Sequence, residues 1–338
     1  MPEPSKTNIR QVAALAGVSH QTVSRVLNDH PSIRPATRQR VLQVIEEVGY
    51  RPNSAARALA TAKSSRIGVL VDSAVEFGPN STLRGIEHAA RATGYSVASV
   101  TIGADSTLDP AVALGHLIAQ GVDALCLIAP RQSSLASLRD ATLSIPTLVV
   151  TAAADETFLS ASVDQELGAA LAIRHLIELG HARIGHLAGP LDWLDARGRH
   201  RAWRAELESA GLDVPDVVVG DWTADFAYEV ARRPSVLDAC TAVFAANDQM
   251  ALGLIHGFAD RGIDVPDGIS VVGFDDLPEA KHFLPPLTTV RQDFRALGER
   301  SVEVLLAELE GREHTQRAMI EPELVVRQST APPAAVTP

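Results

Sequence analysis

From Arg66 onward the chain repeats one rhythm, a short β-rich run, a turn, then a helix-length amphipathic stretch, and this alternation limits its fold more than any other feature. Runs at 67–71, 95–101, 122–128, 147–151, 183–187, 242–246 and 270–274 read as strands. Helices are expected over 83–93, 111–120, 165–180, 196–210, 249–261 and 294–310. Neighbouring parallel strands can be joined only through a crossover, so strands alternating with helices imply parallel sheets covered on both faces. About 260 residues of such sequence suggest two sheets with a crevice between them, where small ligands tend to bind.

The first 50 residues follow a different rhythm. Asn8 can cap a first helix, with Gln11 three residues on to return the hydrogen bond, and Val12 and Leu15 are expected to face inward. Gly17 suits a tight turn, and Ser19 caps a second helix whose buried stripe is Val23, Val26 and Leu27. Pro35 opens a third helix carrying Val41, Leu42, Ile45 and Val48, and Gly49 closes it. An alanine-rich stretch, 54–60, and the polar run 61–65 then read as a linker.

Composition divides the chain at the same place. The net charge of −11 would argue against nucleic acid if it were uniform. Residues 1–66 hold ten Lys and Arg against four acids, a net +6, so the remaining 272 carry −17. A small basic head on a large acidic body fits a DNA reader joined to another module. Two distant cysteines, Cys126 and Cys240, exclude a disulfide scaffold and any CxxC metal or redox site. No apolar run reaches the ~18 residues that would span a bilayer, and the first residues lack the pattern of a secretion signal. A cytoplasmic, non-membrane protein is expected.

The segment 12–28, VAALAGVSHQTVSRVLN, has the helix–turn–helix arrangement, with its second helix suited to the major groove. His20, Gln21, Ser24 and Arg25 fall on the polar face opposite Val23 and Val26. Gln pairs bidentately with adenine and Arg with guanine, which makes this face a candidate base reader. A merely solvated helix face is the alternative.

AGVSHQTVSRVLN and ATRQRVLQVIEEVGYRPNSAARALA, followed by HLIELGHARIGHLAGP, FAANDQMALG, ISVVGFDD and PPLTTVRQDF, resemble the lactose/galactose repressor (LacI/GalR) family of bacterial transcription regulators. The likeness is strongest to its lactose-type members, and its motifs keep their order over some 320 residues. The resemblance implies an all-α helix–turn–helix head (5–50), a hinge helix and linker (51–65), and a two-lobed, periplasmic-binding-protein-like α/β core (66–330). One lobe would comprise about 66–163 plus 292–325, the other about 164–291, and 331–338 would be a disordered tail.

Carried over by position, His20, Gln21, Ser24 and Arg25 would touch bases or nearby phosphates, while Ser19, Thr22 and Asn28 hold the DNA backbone. Asn53, Arg57 and Leu59 fall in the hinge, where Leu59 would wedge into the central minor groove and bend the duplex. Arg34 stands where the third helix usually has a Ser or Thr cap. In the core, the resemblance points to Arg197, Asn247 and Asp275 as partners of sugar hydroxyls, to Trp222 as the stacking face, and to Phe77 and Phe294 as pocket lining. Where lactose-type members carry an aspartate reaching the sugar, this chain has Thr151, which should alter which sugar fits and leaves a galactoside and another pyranoside or disaccharide as alternatives. The implied partners are a pseudo-palindromic operator, a small sugar acting as inducer and a second copy of the chain, with no cofactor and no metal.

Two rivals share the core architecture. An enzyme would need catalytic machinery, yet the sequence has no GxxxxGK[ST] phosphate loop, no GxSxG elbow and no HExxH zinc site. His175 and His181 lie six apart, which is not a helical ligand spacing, and read as structural. A stand-alone sugar-binding protein would have no use for a basic helical head.

Overall fold

A computed structural model describes residues 8–27, 30–50, 63–72, 76–102, 110–129, 131–134, 143–152 and 157–334. Contacts divide the chain into two units, 1–64 and 65–338.

The head contains α1 (Ile9–Ala16), α2 (His20–Leu27) and α3 (Pro35–Glu47). The expected capping box forms at α1: the Asn8 side chain accepts from the Arg10 and Gln11 amides at 3.0 Å, and Gln11 Oε1 accepts from the Asn8 amide at 2.8 Å. Gly17 takes the left-handed backbone of the turn, with φ 64°. Ser19 Oγ then accepts from the Thr22 amide at 3.1 Å and starts α2. Arg34 makes no side-chain cap, and Pro35 opens α3 without one. Val12, Ala13, Ala16, Val23, Val26 and Val41 form the small buried core. Leu15 does not join it and is 63% exposed, contrary to the sequence expectation. On a helix of 3.6 residues per turn it lies roughly 100° around from the centre of the 12–13–16 stripe.

The core unit holds two six-stranded sheets. The first contains β1 (Arg66–Asp72), β2 (Ser96–Ile102), β3 (Ala124–Ile128), β4 (Thr147–Val150), β5 (Leu159–Val163) and β11 (Arg317–Ile320), in the order β2-β1-β3-β4-β5-β11. All its pairings are parallel. The second contains β6 (Ile184–Ala188), β7 (Val218–Val219), β8 (Ala242–Ala245), β9 (Ser270–Asp275), β10 (Thr288–Arg291) and β12 (Glu323–Val325), in the order β7-β6-β8-β9-β10-β12. Only β12 runs antiparallel there, on the edge beside β10. Near-continuous burial along the central strands is what a sheet covered on both faces requires.

Helix α4 (Phe77–Ala92) of the first lobe begins six residues before the expected 83, which places Phe77 in its first turn. Further along come α5 (Pro110–Ala119), α6 (Gln165–Glu178), α7 (Leu194–Ser209), α8 (Ala224–Ala231), α9 (Asp248–Asp260) and α10 (Phe294–Leu309). The chain passes between lobes at Asp164, at Gln292–Asp293 and at 321–322.

Two expected boundaries change. Residues 323–325 belong to the second lobe, not the first, because β12 pairs with β10. Residue 331 does not belong to a disordered tail: Ala331 exchanges hydrogen bonds with Ser270 Oγ, both 3.1 Å, and its carbonyl lies 2.9 Å from His181 Nε2, while 335–338 lie outside the described residues. His175 Nε2 lies 3.0 Å from Thr330 Oγ1, so both histidines fasten the C-terminal segment to the second lobe. Burial lowers the affinity of both rings for a proton.

In the first lobe α4 and α10 touch backbone to backbone at Gly85 and Gly298, where any Cβ would collide with the opposite main chain. Gly298→Ala should therefore cost about 1–3 kcal/mol through forced separation of the helices, read as a lower urea midpoint; an unchanged midpoint would show that the pair can part freely.

Candidate functional site

The two sheets turn the carboxyl ends of their strands toward one cleft of about 290 Å³. Ile128 ends β3, Val150 ends β4, Val163 ends β5 and Asp275 ends β9, and all four line the cavity. This is where open parallel sheets place their ligands.

At the base of the cleft four side chains close a ring. Arg199 Nε donates to Gln165 Oε1 at 2.8 Å, Gln165 Nε2 to Gln292 Oε1 at 2.7 Å, and Gln292 Nε2 to Asp275 Oδ1 at 2.6 Å. Arg199 Nη2 completes it, 3.8 Å from Asp275 Oδ1. All four residues are buried. Gln165 follows the first chain passage between lobes and Gln292 stands on the second, so the ring lies where the lobes join. The Arg199 guanidinium also donates to the Ala246 carbonyl and stacks 3.8 Å above the centroid of Phe274.

Burial dominates the electrostatics. It raises the Asp275 carboxyl to about 6, against the opposing pull of Arg199 and the Gln292 hydrogen bond. It also raises Asp195, which Arg199 pulls the other way. Asp248, behind the ring, is raised well above the carboxylate range by burial and by Asp275, although Thr289 Oγ1 donates to it at 2.5 Å and the Leu277 amide at 2.7 Å. Arg199 is lowered by its own burial but supported by these acids, and a guanidinium so held stays charged.

Aromatic rings wall both sides. Phe77 and Phe294 of the first lobe meet edge to face at 5.7 Å, and Trp193 and Trp222 of the second meet at 5.3 Å. Trp222 has φ 71°, and its indole lies so close to Gly189 that a Cβ there would penetrate the ring. Trp222 Nε1 and Gln249 Oε1, both on cavity-lining residues, are buried with no hydrogen-bond partner among the described residues. An unsatisfied donor and acceptor beside an apolar ring suit a ligand carrying hydroxyls.

Of the expected residues, Phe77, Trp222, Asn247, Asp275 and Phe294 line the cavity. Asn247 also caps α9, accepting from the Met250 amide at 2.8 Å and donating to the Trp222 carbonyl at 3.0 Å. Arg197 is not among the lining residues; its guanidinium donates to Gln132 Oε1 of the first lobe. The cleft arginine is Arg199. Successive residues of a helix turn by about 100°, so positions two apart point to nearly opposite sides. The buried series Ala196, Arg199, Trp203, Leu207 on α7 is the pattern that selects Arg199 from sequence. Gln165, Gln292 and Trp193 had also gone unidentified, and Thr151 does line the cleft.

In the head, Ser19, His20, Gln21 and Arg25 are exposed along α2, and Thr22 and Ser24 are half-buried at its edge. Val23 and Val26 occupy the opposite, buried side. Asn28, Asn53, Arg57 and Leu59 lie outside the described residues.

A helix–turn–helix head on a two-lobed core with a ligand cleft defines a DNA-binding regulator that answers to a small molecule. The comparisons agree. Residues 8–53 match the model for bacterial regulatory proteins of the lacI family, and 173–330 match a periplasmic binding protein-like domain. The lactose operon repressor of Escherichia coli (strain K12) is 34% identical over 326 residues, 95% of this chain and 90% of that protein. A solved lac repressor dimer, bound to operator and the anti-inducer ONPF, superposes with a TM-score of 0.84 at 32% identity, covering 97% of this chain and 100% of the other. A transcriptional regulator CelR–cellobiose complex gives 0.71 at 30% identity, covering 96% and 99%. The chain belongs to the lacI family of bacterial regulatory proteins, and it is a DNA-binding transcriptional regulator. No described helix is long and apolar enough to cross a membrane.

The raised Asp275 carboxyl makes stability depend on pH with a definite sign. Folded, the group holds its proton up to about 6; unfolded, only to 3.8. The native state therefore binds more protons in that window, and stability falls as pH rises through it, by up to about 3 kcal/mol. Asp275→Asn should remove this fall, so that urea-unfolding free energies of the two proteins diverge between pH 4 and 6. Parallel profiles would mean that Asp275 titrates normally.

Proposed function

We propose that this regulator is a repressor whose operator affinity is set by a sugar bound in the cleft. One observation carries the reading. The Arg199–Gln165–Gln292–Asp275 ring presents planar donors and acceptors in a cavity walled by Trp222 and Phe294. Such groups pair with vicinal hydroxyls while an aromatic face covers the apolar side of a pyranose. The cellobiose held by CelR, a protein of the same fold, supports the assignment. Thr151 in place of a carboxylate alters which hydroxyl pattern fits.

DNA is read by the exposed face of α2, with His20, Gln21, Ser24 and Arg25 at base edges or phosphates and Ser19 and Thr22 on the backbone. Asn28 adds a further backbone contact, Asn53 and Arg57 belong to the same DNA-binding set, and Leu59 enters the minor groove. The working form is a homodimer on a pseudo-palindromic operator, as the similar lac repressor is a dimer on its operator. It works in the cytoplasm, where its DNA lies, and it senses its ligand without turning it over.

The sugar acts by shifting a population, since it can weaken DNA binding only through different affinities for two states. The structure has an element on which the choice can act. Residues 131–134 of the first lobe meet the start of α7: Arg131 bridges to Trp193, its guanidinium stands 5.6 Å from that indole, and the Gln132 amide donates to the Asp192 carbonyl at 3.2 Å. Trp193 packs on Trp222, so a ligand against Trp222 bears on the contact that holds the lobes together.

Arg25→Ala should cost about 1–3 kcal/mol in operator binding and relax the preference at one base position, scored by competition against sequences selected from a random pool; unchanged specificity would remove Arg25 from the reading face. A sugar panel scored by thermal shift should find a ligand that releases the operator. Asp275→Asn should make release insensitive to that ligand, and a normal response would place the sensor elsewhere.

A further inference from the structure

We propose that the cleft takes only an uncharged sugar and rejects its phosphate esters and sugar acids. This rests on the sugar reading above and narrows it. Glu76, Asp195, Asp221 and Asp275 line the cavity, and Arg199 is the one cation among the described lining residues. All three nitrogens of that guanidinium already face protein acceptors: Nε donates to Gln165 at 2.8 Å, Nη1 to the Ala246 carbonyl, and Nη2 stands 3.8 Å from Asp275. Withdrawing it to meet a ligand anion would leave a buried carboxylate without its cation.

The other usual anion receptor, the positive end of a helix, is opposed here by acids. Six described helices begin at the cleft, and each carries an acid at its N-cap or in its first turn: Glu76 at α4, Glu166 in α6, Asp195 in α7, Asp225 in α8, Asp248 in α9 and Asp293 at α10. The Thr223 and Asn247 side chains already accept from their first-turn amides. The cleft therefore meets a phosphate or carboxylate with four lining carboxylates and an acid at every helix end, against one arginine that is itself buried and paired. Hydroxyls meet no such barrier, since carboxylates and amide oxygens accept from them.

The consequence is a place in a reaction sequence. The effector is the sugar as it stands before phosphorylation of a hydroxyl or oxidation of a carbon to the acid. A kinase or oxidising enzyme that consumes it ends the signal, because the product no longer fits the electrostatics of the cleft.

Calorimetric titration of the full chain tests this with matched sets, each neutral hexose or disaccharide beside its 6-phosphate and its uronic acid. The neutral member of the responding set should bind at least 100-fold more tightly than either anion, a ratio within reach of a single close like-charge pair. Asp221→Asn combined with Glu76→Gln should shrink that ratio about tenfold, and because it is a ratio, a general loss of folding cannot imitate the change. Anion binding within tenfold of the neutral sugar would overturn the proposal. So would a ratio that the double variant leaves untouched, since exclusion would then be a matter of size. If neither neutral nor anionic sugars bind, the sugar reading itself fails, and the blank neutral arm distinguishes that failure from the others.

Discussion

The charge on Arg199 is the constraint around which the core is organised. A guanidinium withdrawn from water is tolerated only where its donors are met and a counter-charge stands near. Here those needs are met from three places in the fold: Gln165 at the start of α6, the carbonyl of Ala246 after β8, and β9, which supplies Asp275 at its end and the ring of Phe274 beneath. Even the residues that touch none of these groups serve them. Gly168 is bare where a Cβ would strike the Phe274 ring, so that ring can lie under the guanidinium.

Because Gln165 and Gln292 stand at two of the three passages between lobes, the same ring that would receive a ligand also ties the junction of the lobes. Hydrogen bonds linked in a chain polarise one another, and an element that satisfies them only in one arrangement is bistable rather than soft. Ligand hydroxyls inserted beside the ring would change its balance where a small rotation moves a whole lobe. This is the physical basis for linking occupancy of the cleft to the head. The clasp between Arg131 and Trp193 supplies a second contact across the cleft, at a distance from the passages.

Much of this was legible in the sequence, and the failures have physical causes. Capping signals are local, so Asn8, Gln11, Ser19 and Pro35 announced the head's helices correctly. The uniformly apolar central strands were found, whereas β5 (LSASV), β10 (TTVR), β11 (RAMI) and β12 (ELV) are short and carry little pattern. Their places are decided by pairing partners far away in sequence, which is why 323–325 was given to the wrong lobe. Leu15 shows that an apolar residue on an eight-residue helix is not thereby a core residue. Motif likeness brought Asp275, Asn247 and Trp222 to the cleft but could not choose between Arg197 and Arg199, a choice that only helical periodicity makes. Gln165 and Gln292 went unseen because glutamine is usually a surface residue, and nothing local reveals that two of them meet across 127 positions.

The central claim, that the cleft and the DNA-reading head are two sites of one coupled equilibrium, has a direct test in reciprocity. Operator affinity of the full chain is measured with and without saturating sugar, and sugar affinity with and without saturating operator. Thermodynamic linkage requires the two ratios to be equal, and a working switch of this kind should give roughly 5-fold to 150-fold in each. Equal ratios in that range would establish the coupling. A sugar that binds the cleft tightly while leaving operator affinity unchanged would contradict it.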